Sequence, residues 1–280
     1  MPETTLFIGV VSHLGSRYAT SQGVDGLAAR LGAEIPGSHV QVNTQDLLVT
    51  GDVDLTPRVI QDSLTAEVAL EREWAAYLGT PPTARWWFRH GLRWARRAAR
   101  AVARPDDAGA RRLLNIELSH LDLMRRGLDS DAPWTLIVED DAHSDDIRDL
   151  ARGLSGLMSA PSAGFVNLSL SFPLSTLGIG TLLAPSAISW LGSEPRQVLV
   201  ADRPVTNTVC AILYSRSFLV DLVDAWQAMP LTPVIPIDWK LNRVLMDLQA
   251  SRNATSTPCL FVEPAPITQM SMRRTGILPG

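Results

Sequence analysis

The chain of 280 residues carries a formal net charge of −4, with 46% hydrophobic and 19% charged residues. This balance excludes a protein built around a nucleic-acid backbone, and so apolar a sequence excludes intrinsic disorder. The length supports a sizeable core, in one large domain or two small ones.

The first element, TLFIGVVSH, is short, β-branched and almost continuously apolar, which predicts a strand buried on both faces. No basic leader precedes it, and the apolar run Leu6 to Val11 is too short for a signal peptide or a membrane span, so a cytoplasmic protein is expected. A helix around Gln22 to Leu31 and a strand in HVQVNTQDL, with Val40 and Val42 pointing one way, open a βαβ pattern. Helical periodicity runs from Pro57 to Leu78 and is stopped by the TPP of residues 80–82. A second helical segment covers about Trp86 to Val102. The third, ARRLLNIELSHLDLMRRG, sets Leu114, Leu118, Leu121 and Met124 on one face and Asn115, Ser119, Asp122 and Arg126 on the opposite one, and Gly127 is expected to cap it.

A strand over Thr135 to Val138 follows, then a helix from Asp145 to Met158 and a strand in GFVNLSLSF. TLLA and QVLVAD read as a strand-like pair, and NTVCAILYS as the next strand. Helices are expected from about Ser217 to Met229 and over IDWKLNRVLMDL, before a last strand and extended tail in CLFVEPAPITQMSM. Strands alternate with helices early and crowd together later, which predicts an α/β fold around a mostly parallel sheet. The two cysteines, Cys210 and Cys259, fit neither a zinc knuckle nor a disulfide framework and read as buried free thiols in a reducing compartment. Lys240 is the sole lysine among the basic residues, a bias that suggests a GC-rich bacterial genome.

Ligands of parallel sheets collect at the carboxyl ends of the strands, and there WTLIVEDDAHSDD sets Glu139, Asp140 and Asp141 directly after an apolar run. Continued extension would turn Glu139, Asp141 and His143 one way and Asp140 the other. Carboxylates packed this closely repel unless a cation or hydrogen-bond donors offset them. Mg²⁺ or Mn²⁺, held by one or two carboxylates and substrate phosphates, suits such a cluster. Asp145 and Asp146 read instead as acids in the first turn of the next helix. His143 is either a metal ligand, by alternation with Asp141, or a solvated loop residue. His13 and Arg17, past the first strand, can reach a diphosphate or base, and the guanidinium of Arg17 can grip phosphate oxygens in a bidentate manner. Asn43 either reads the nucleotide base or forms a turn. Asp238 follows a proline-bearing loop and opens a helix, so it is a candidate general base or an N-cap.

The block ELSHLDLMRRGLDSDAPWTLIVEDDA resembles the core signature of the family 25 glycosyltransferases, the group of the lipooligosaccharide and collagen galactosyltransferases. The matching residues are Ser119, His120, Glu139, Asp140 and Asp141, with Arg17, NTVCAILYS, Asp238 in PVIPIDWKLNRVL, and Gln269 and Ser271 in PITQMSM agreeing in the same order. Asn115 and Glu117 stand where that family has small residues or cysteine, and the insert from about Leu78 to Ala110 has no counterpart in it. The resemblance implies a single GT-A-type, Rossmann-like domain, in which residues 1–145 bind a sugar nucleotide and the β-richer residues 146–280 bind the acceptor. It implies Mn²⁺ or Mg²⁺ on Asp141, with Asp140 on the ribose or reaching the metal through water. Ser119, His120, Glu139, Gln269 and Ser271 would contact the donor, expected to be a UDP-sugar, and transfer to a hydroxyl acceptor would proceed with inversion.

RWWFRHGLRWARRAARAVAR carries Arg85, Arg89, Arg93, Arg96, Arg97, Arg100 and Arg104 at helical spacing, with Trp87, Trp94, Ala98 and Ala101 on another side. It reads as a core-packing helix with a solvated arginine face, as a lid over an anionic donor, or as a helix lying on the inner face of an anionic membrane. Two further functions would use the same acids: a metal-dependent phosphohydrolase or nucleotidyltransferase, and a non-catalytic module that binds a nucleotide or a partner.

Overall fold

The computed structural model describes residues 5–12, 16, 18, 26–43, 57–79, 83–85, 87–88, 91–92, 95–96, 99, 107–160, 164–170, 183–201, 205–229, 235–251 and 259–271. In chain order the elements are β1 (Leu6–Val11), α1 (Leu27–Glu34), β2 (Ser38–Asn43), α2 (Pro57–Tyr77), α3 (Asp107–Asp129), β3 (Trp134–Glu139), β4 (Ala142–His143), α4 (Ile147–Met158), β5 (Phe165–Asn167), β6 (Leu183–Pro185), β7 (Gln197–Ala201), β8 (Ala211–Ser215), α5 (Arg216–Gln227), α6 (Ile237–Ser251), β9 (Cys259–Glu263) and β10 (Thr268–Gln269).

The main sheet has eight strands in the order β2-β1-β3-β8-β5-β9-β7-β6. β1 pairs in parallel with β2 and β3, whereas β8 is antiparallel to both β3 and β5. β9 is parallel to β5, β7 is reversed against β9, and β6 is reversed against β7. The sheet is therefore mixed, with one direction predominating and β7 and β8 opposing it. β10 pairs with β4 in a separate two-stranded sheet.

Alternation along the strands divides the core. Leu6, Ile8 and Val10 of β1, with Leu136 and Val138 of β3, join one buried cluster with α1 and α4. Phe7, Ile137, Ile212 and Tyr214 join the other with α3, α5 and α6. Helices cover both faces, which is why β1 and β3 are almost uninterrupted apolar runs. Gly9 and Gly127 allow α3 to lie close on the sheet: a Cβ on Gly9 would stand 2.9 Å from Ile137 Cδ1, and one on Gly127 would stand 2.5 Å from Thr135 Oγ1.

Gly127 thus sits inside α3 and does not cap it. The chain turns instead at Asp131, in the left-handed region at φ 57, and Arg216 Nη1 donates to the Leu128 carbonyl at 2.6 Å near the helix end. The expected division of α3 into an apolar and a polar face also fails. Ser119, Glu117 and His120 are buried along with Leu114, Leu121 and Met124, while Leu118 is only half-buried. The helix is enclosed by β1 and β3 on one side and by α5 and α6 on another, so its polar residues need partners in the interior. Glu117 has them: the Lys240 ammonium of α6 and, at 3.2 Å, the Trp226 indole N–H of α5. The only lysine of the chain thereby fixes α6, and with it Asp238, against α3.

In α2, Gly79 at φ 66 follows the last turn. The described residues between 84 and 99 are helical and exposed, among them Arg85, Trp87, Phe88, Leu92 and Arg96. Trp87, the described member of the side read as core-packing, keeps 43% of its surface accessible, and its neighbour Phe88 keeps 74%. Trp94, Ala98 and Ala101 of that side lie outside the described residues, as do Arg89, Arg93, Arg97, Arg100 and Arg104. Among the described residues no helix is long and apolar enough to cross a membrane.

Candidate functional site

The ends of β1 and β3, the start of β8 and the 267–271 segment converge on the acidic triplet. β1 and β3 run in register to Val11↔Glu139, and the Asp140 N–H donates to the Val11 carbonyl at 3.0 Å. Extended structure stops at Glu139, and Asp140 and Asp141 form a turn into β4, so side chains do not alternate through the triplet. Asp140 Oδ2 accepts from Ser12 Oγ at 2.7 Å. Glu139 Oε2 accepts from Gln269 Nε2 at 3.0 Å, and Asp141 Oδ2 accepts from the Ser271 N–H at 3.3 Å. Gln269 and Ser271 arrive there because β10 pairs with β4 and the Met270 N–H donates to the Asp141 carbonyl at 2.9 Å.

The electrostatics of the triplet are unbalanced. Glu139 shares the sheet face of Ile137, the face that α3 and α6 cover, and its pKa is raised from 4.5 to about 8. Burial is the largest cause, followed by the charges of Asp141, Asp140 and Asp238, which Arg112 of α3 only partly opposes. Asp141 is buried, and its Oδ1 has no hydrogen-bond partner among the described residues. Glu139, Asp141 and Cys210 offer ligand atoms that all lie within 4.8 Å of one another. Burial, then Glu139 and Asp141, pushes the Cys210 thiol well above its ordinary range. A buried carboxylate oxygen without a donor and a carboxyl forced toward its neutral form are what a bound cation would relieve. The donor set therefore fits a divalent ion.

Asp238 lies in the first turn of α6 and is near enough for its charge to act on Glu139. Burial raises its own pKa, while its own N–H and that of Trp239 pull the other way. His120 is buried, its Nε2 has no hydrogen-bond partner among the described residues, and burial lowers its pKa from 6.5 to about 3, which favours the neutral imidazole. Ser119 is buried beside it in sequence; no hydrogen bond joins either residue to the triplet among the described residues. Asn43 closes β2, its carbonyl accepting from the Ser12 N–H at 2.9 Å and its Nδ2 donating to Asp122 at 3.3 Å, so it ties the strand end to α3.

His143 is not brought into the cation group. The turn at Asp140 and Asp141 breaks the alternation that would have aimed it there, and its Nε2 lies 3.0 Å from Asp145 at the surface. Asp140 likewise stands outside that group, turned to Ser12. Asp146 caps α4 by accepting from the Asp149 N–H at 2.9 Å, close to the first-turn role expected of it. His13 and Arg17 lie outside the described residues. Sequence reasoning missed Ser12, Arg112 and Cys210. Ser12, one residue before His13 at the strand end, was within reach of the same argument, whereas Arg112 and Cys210 come into range only through tertiary packing.

No protein-family model matches the chain, and comparison with curated proteins finds no significant match.

Proposed function

We propose that the protein is a metal-dependent glycosyltransferase that moves a sugar from a nucleotide-sugar donor, a UDP-sugar first among them, to a hydroxyl acceptor with inversion. The observation that carries this reading is the group of Glu139 and Asp141 at the carboxyl end of β3, Asp141 Oδ1 having no hydrogen-bond partner among the described residues, with Asp238 of α6 near enough for its charge to act on Glu139. In this reading the framework is GT-A-type and Rossmann-like. Residues 1–145 serve the donor and 146–280 the acceptor.

Asp141 and Glu139 would hold Mn²⁺ or Mg²⁺, which would supply stabilisation of negative charge on the departing diphosphate. Asp140, oriented by Ser12, faces the ribose, and Gln269 and Ser271 hold the carboxylates in place. Asp238 takes the proton of the acceptor hydroxyl as its oxygen attacks the anomeric carbon and the bond to the diphosphate oxygen breaks. A carboxyl raised by burial is suited to that task, since a base works best with its pKa nearer the working pH. His120 and Ser119 of α3, with His13 and Arg17 past β1, complete the donor side. The exposed Trp87, Phe88 and Leu92, on a segment that also carries the exposed Arg85 and Arg96, support a peripheral contact with an anionic membrane face.

The test is release of UDP from a panel of UDP-sugars offered with hydroxyl acceptors, with Mn²⁺ or with chelator. Acceptor-dependent, Mn²⁺-dependent release that disappears in Asp141→Ala supports the reading. Nucleotide cleavage indifferent to any acceptor assigns the acids to hydrolysis instead.

A further inference from the structure

The cation reading leaves one donor atom unexplained, the sulfur of Cys210. The two cysteines of the chain are both fully buried and occupy different surroundings. Cys259 is used by the core: its sulfur accepts from Asn167 Nδ2 at 3.3 Å and donates to the Val205 carbonyl at 3.4 Å. Cys210 instead lies at the acidic triplet, with the Ser169 hydroxyl within hydrogen-bonding reach of its sulfur. β3 and β8 run antiparallel in register through Val138↔Ala211, so one step further sets Cys210 opposite Glu139, and the Glu139 N–H donates to the Cys210 carbonyl at 2.8 Å. Cys210 thus sits in the bend just before β8, held to β3 through its carbonyl and to Thr208 Oγ1 through its N–H at 3.1 Å.

We propose that Cys210 supplies a sulfur ligand to the cation held by Glu139 and Asp141, and that this site consequently favours Zn²⁺ or Co²⁺ over Mg²⁺. The proposal rests on the cation reading above and sharpens it by naming the ligand set. Oxygen and sulfur ligands stand about 2.0–2.3 Å from such ions and hence about 3.3–3.8 Å from each other around a tetrahedral site. The ligand atoms here lie within 4.8 Å of one another, so shifts of about 1 Å close them on an ion. Asp141 Oδ1, buried and without a hydrogen-bond partner among the described residues, is an independent observation that a cation there would account for. Glu139 is only half-buried, which leaves a side of the ion open to a substrate oxygen, as a site that does chemistry requires. Two carboxylates alone would suit Mg²⁺ or Mn²⁺, whereas a thiolate tilts selection toward softer ions. On binding, the metal–sulfur bond forms as the S–H bond breaks, and the proton passes to solvent.

Co²⁺ is the direct probe, because a thiolate ligand gives it a near-ultraviolet charge-transfer band that oxygen ligands do not. Wild type titrated with Co²⁺ is expected to show the band, Cys259→Ser to keep it, and Cys210→Ser to lose it while still binding Co²⁺ by calorimetry. Zn²⁺ affinity should fall roughly tenfold or more in Cys210→Ser, with Mg²⁺ affinity little changed. Cadmium NMR of the wild type, which needs no variant to fold, should give a resonance shifted downfield by sulfur. Co²⁺ binding without the band, or a cadmium resonance in the all-oxygen range, would overturn the thiol ligand and leave the carboxylate site standing. Failure of the wild type to bind any of these ions overturns both.

Discussion

Asp149 and Glu139 are two acids set into the same α/β body under opposite conditions. Asp149, on α4, is buried, but donors surround it: Trp190 Nε1 at 3.2 Å, Ser193 Oγ at 2.9 Å, the Glu194 N–H at 3.0 Å and the Ser193 N–H. Arg196 stands 3.8 Å away. Burial pushes its pKa up, yet these hydrogen bonds outweigh burial and hold it below the usual carboxylate range. Glu139 accepts from Gln269, and burial, followed by the charges of Asp141, Asp140 and Asp238, drives its pKa up to about 8. The first arrangement is complete as it stands and clamps the loop before β7 to α4. The second leaves a buried oxygen of Asp141 without a hydrogen-bond partner among the described residues, which is where the proposed function puts a cation.

The largest effect that would sharpen this contrast comes from Asp238. Asp238→Asn should lower turnover about 100- to 10,000-fold, the usual worth of a general base, while nucleotide binding by calorimetry stays near that of wild type; equal losses in both would make Asp238 a binding residue. Next is Asp149→Ala, which strands several buried donors and should cost about 3 kcal/mol in urea unfolding. A loss below about 0.5 kcal/mol, the range of an ordinary surface change, would break the comparison at its stable end.

A further effect is a pH dependence whose sign differs between Glu139 and His120. Glu139 has its folded pKa raised from 4.5 to about 8, so the folded state keeps a proton that the unfolded chain releases. Stability without metal should therefore fall as pH rises through that window, Glu139→Gln should flatten the fall, and Mn²⁺ should reverse it. His120 runs the other way. Its folded pKa is lowered to about 3, so stability present above 6.5 is lost as pH falls toward 3, and His120→Gln should remove that loss in melting curves.

β1 and β3 were legible in the sequence because strands buried on both faces spell continuous apolar runs, and the acids that follow β3 mark a strand end at once. Local periodicity misjudged α3, since a helix covered by a sheet and by two other helices buries Ser119 and Glu117 as readily as leucine. Gly127 carries the composition of a cap, but the reason for it, contact with Thr135, depends on a strand that comes later in the chain. The Glu139 and Asp141 part of the site was legible, and the resemblance drew attention to Gln269 and Ser271 across 130 residues of sequence. Cys210 was not, because its meaning lies in the antiparallel register of β8 against β3. His143 fell to the wrong side of that line when the turn at Asp140 ended the alternation.

The most direct test of the central claim is calorimetric titration of UDP into wild type and Asp141→Asn, with and without Mn²⁺. The account predicts binding to the wild type that requires Mn²⁺ and that drops at least about 100-fold in the variant, comparable to losing a ligand or its support, while the variant melts no lower than the wild type. Equal binding by both proteins, or UDP binding indifferent to Mn²⁺, would contradict it.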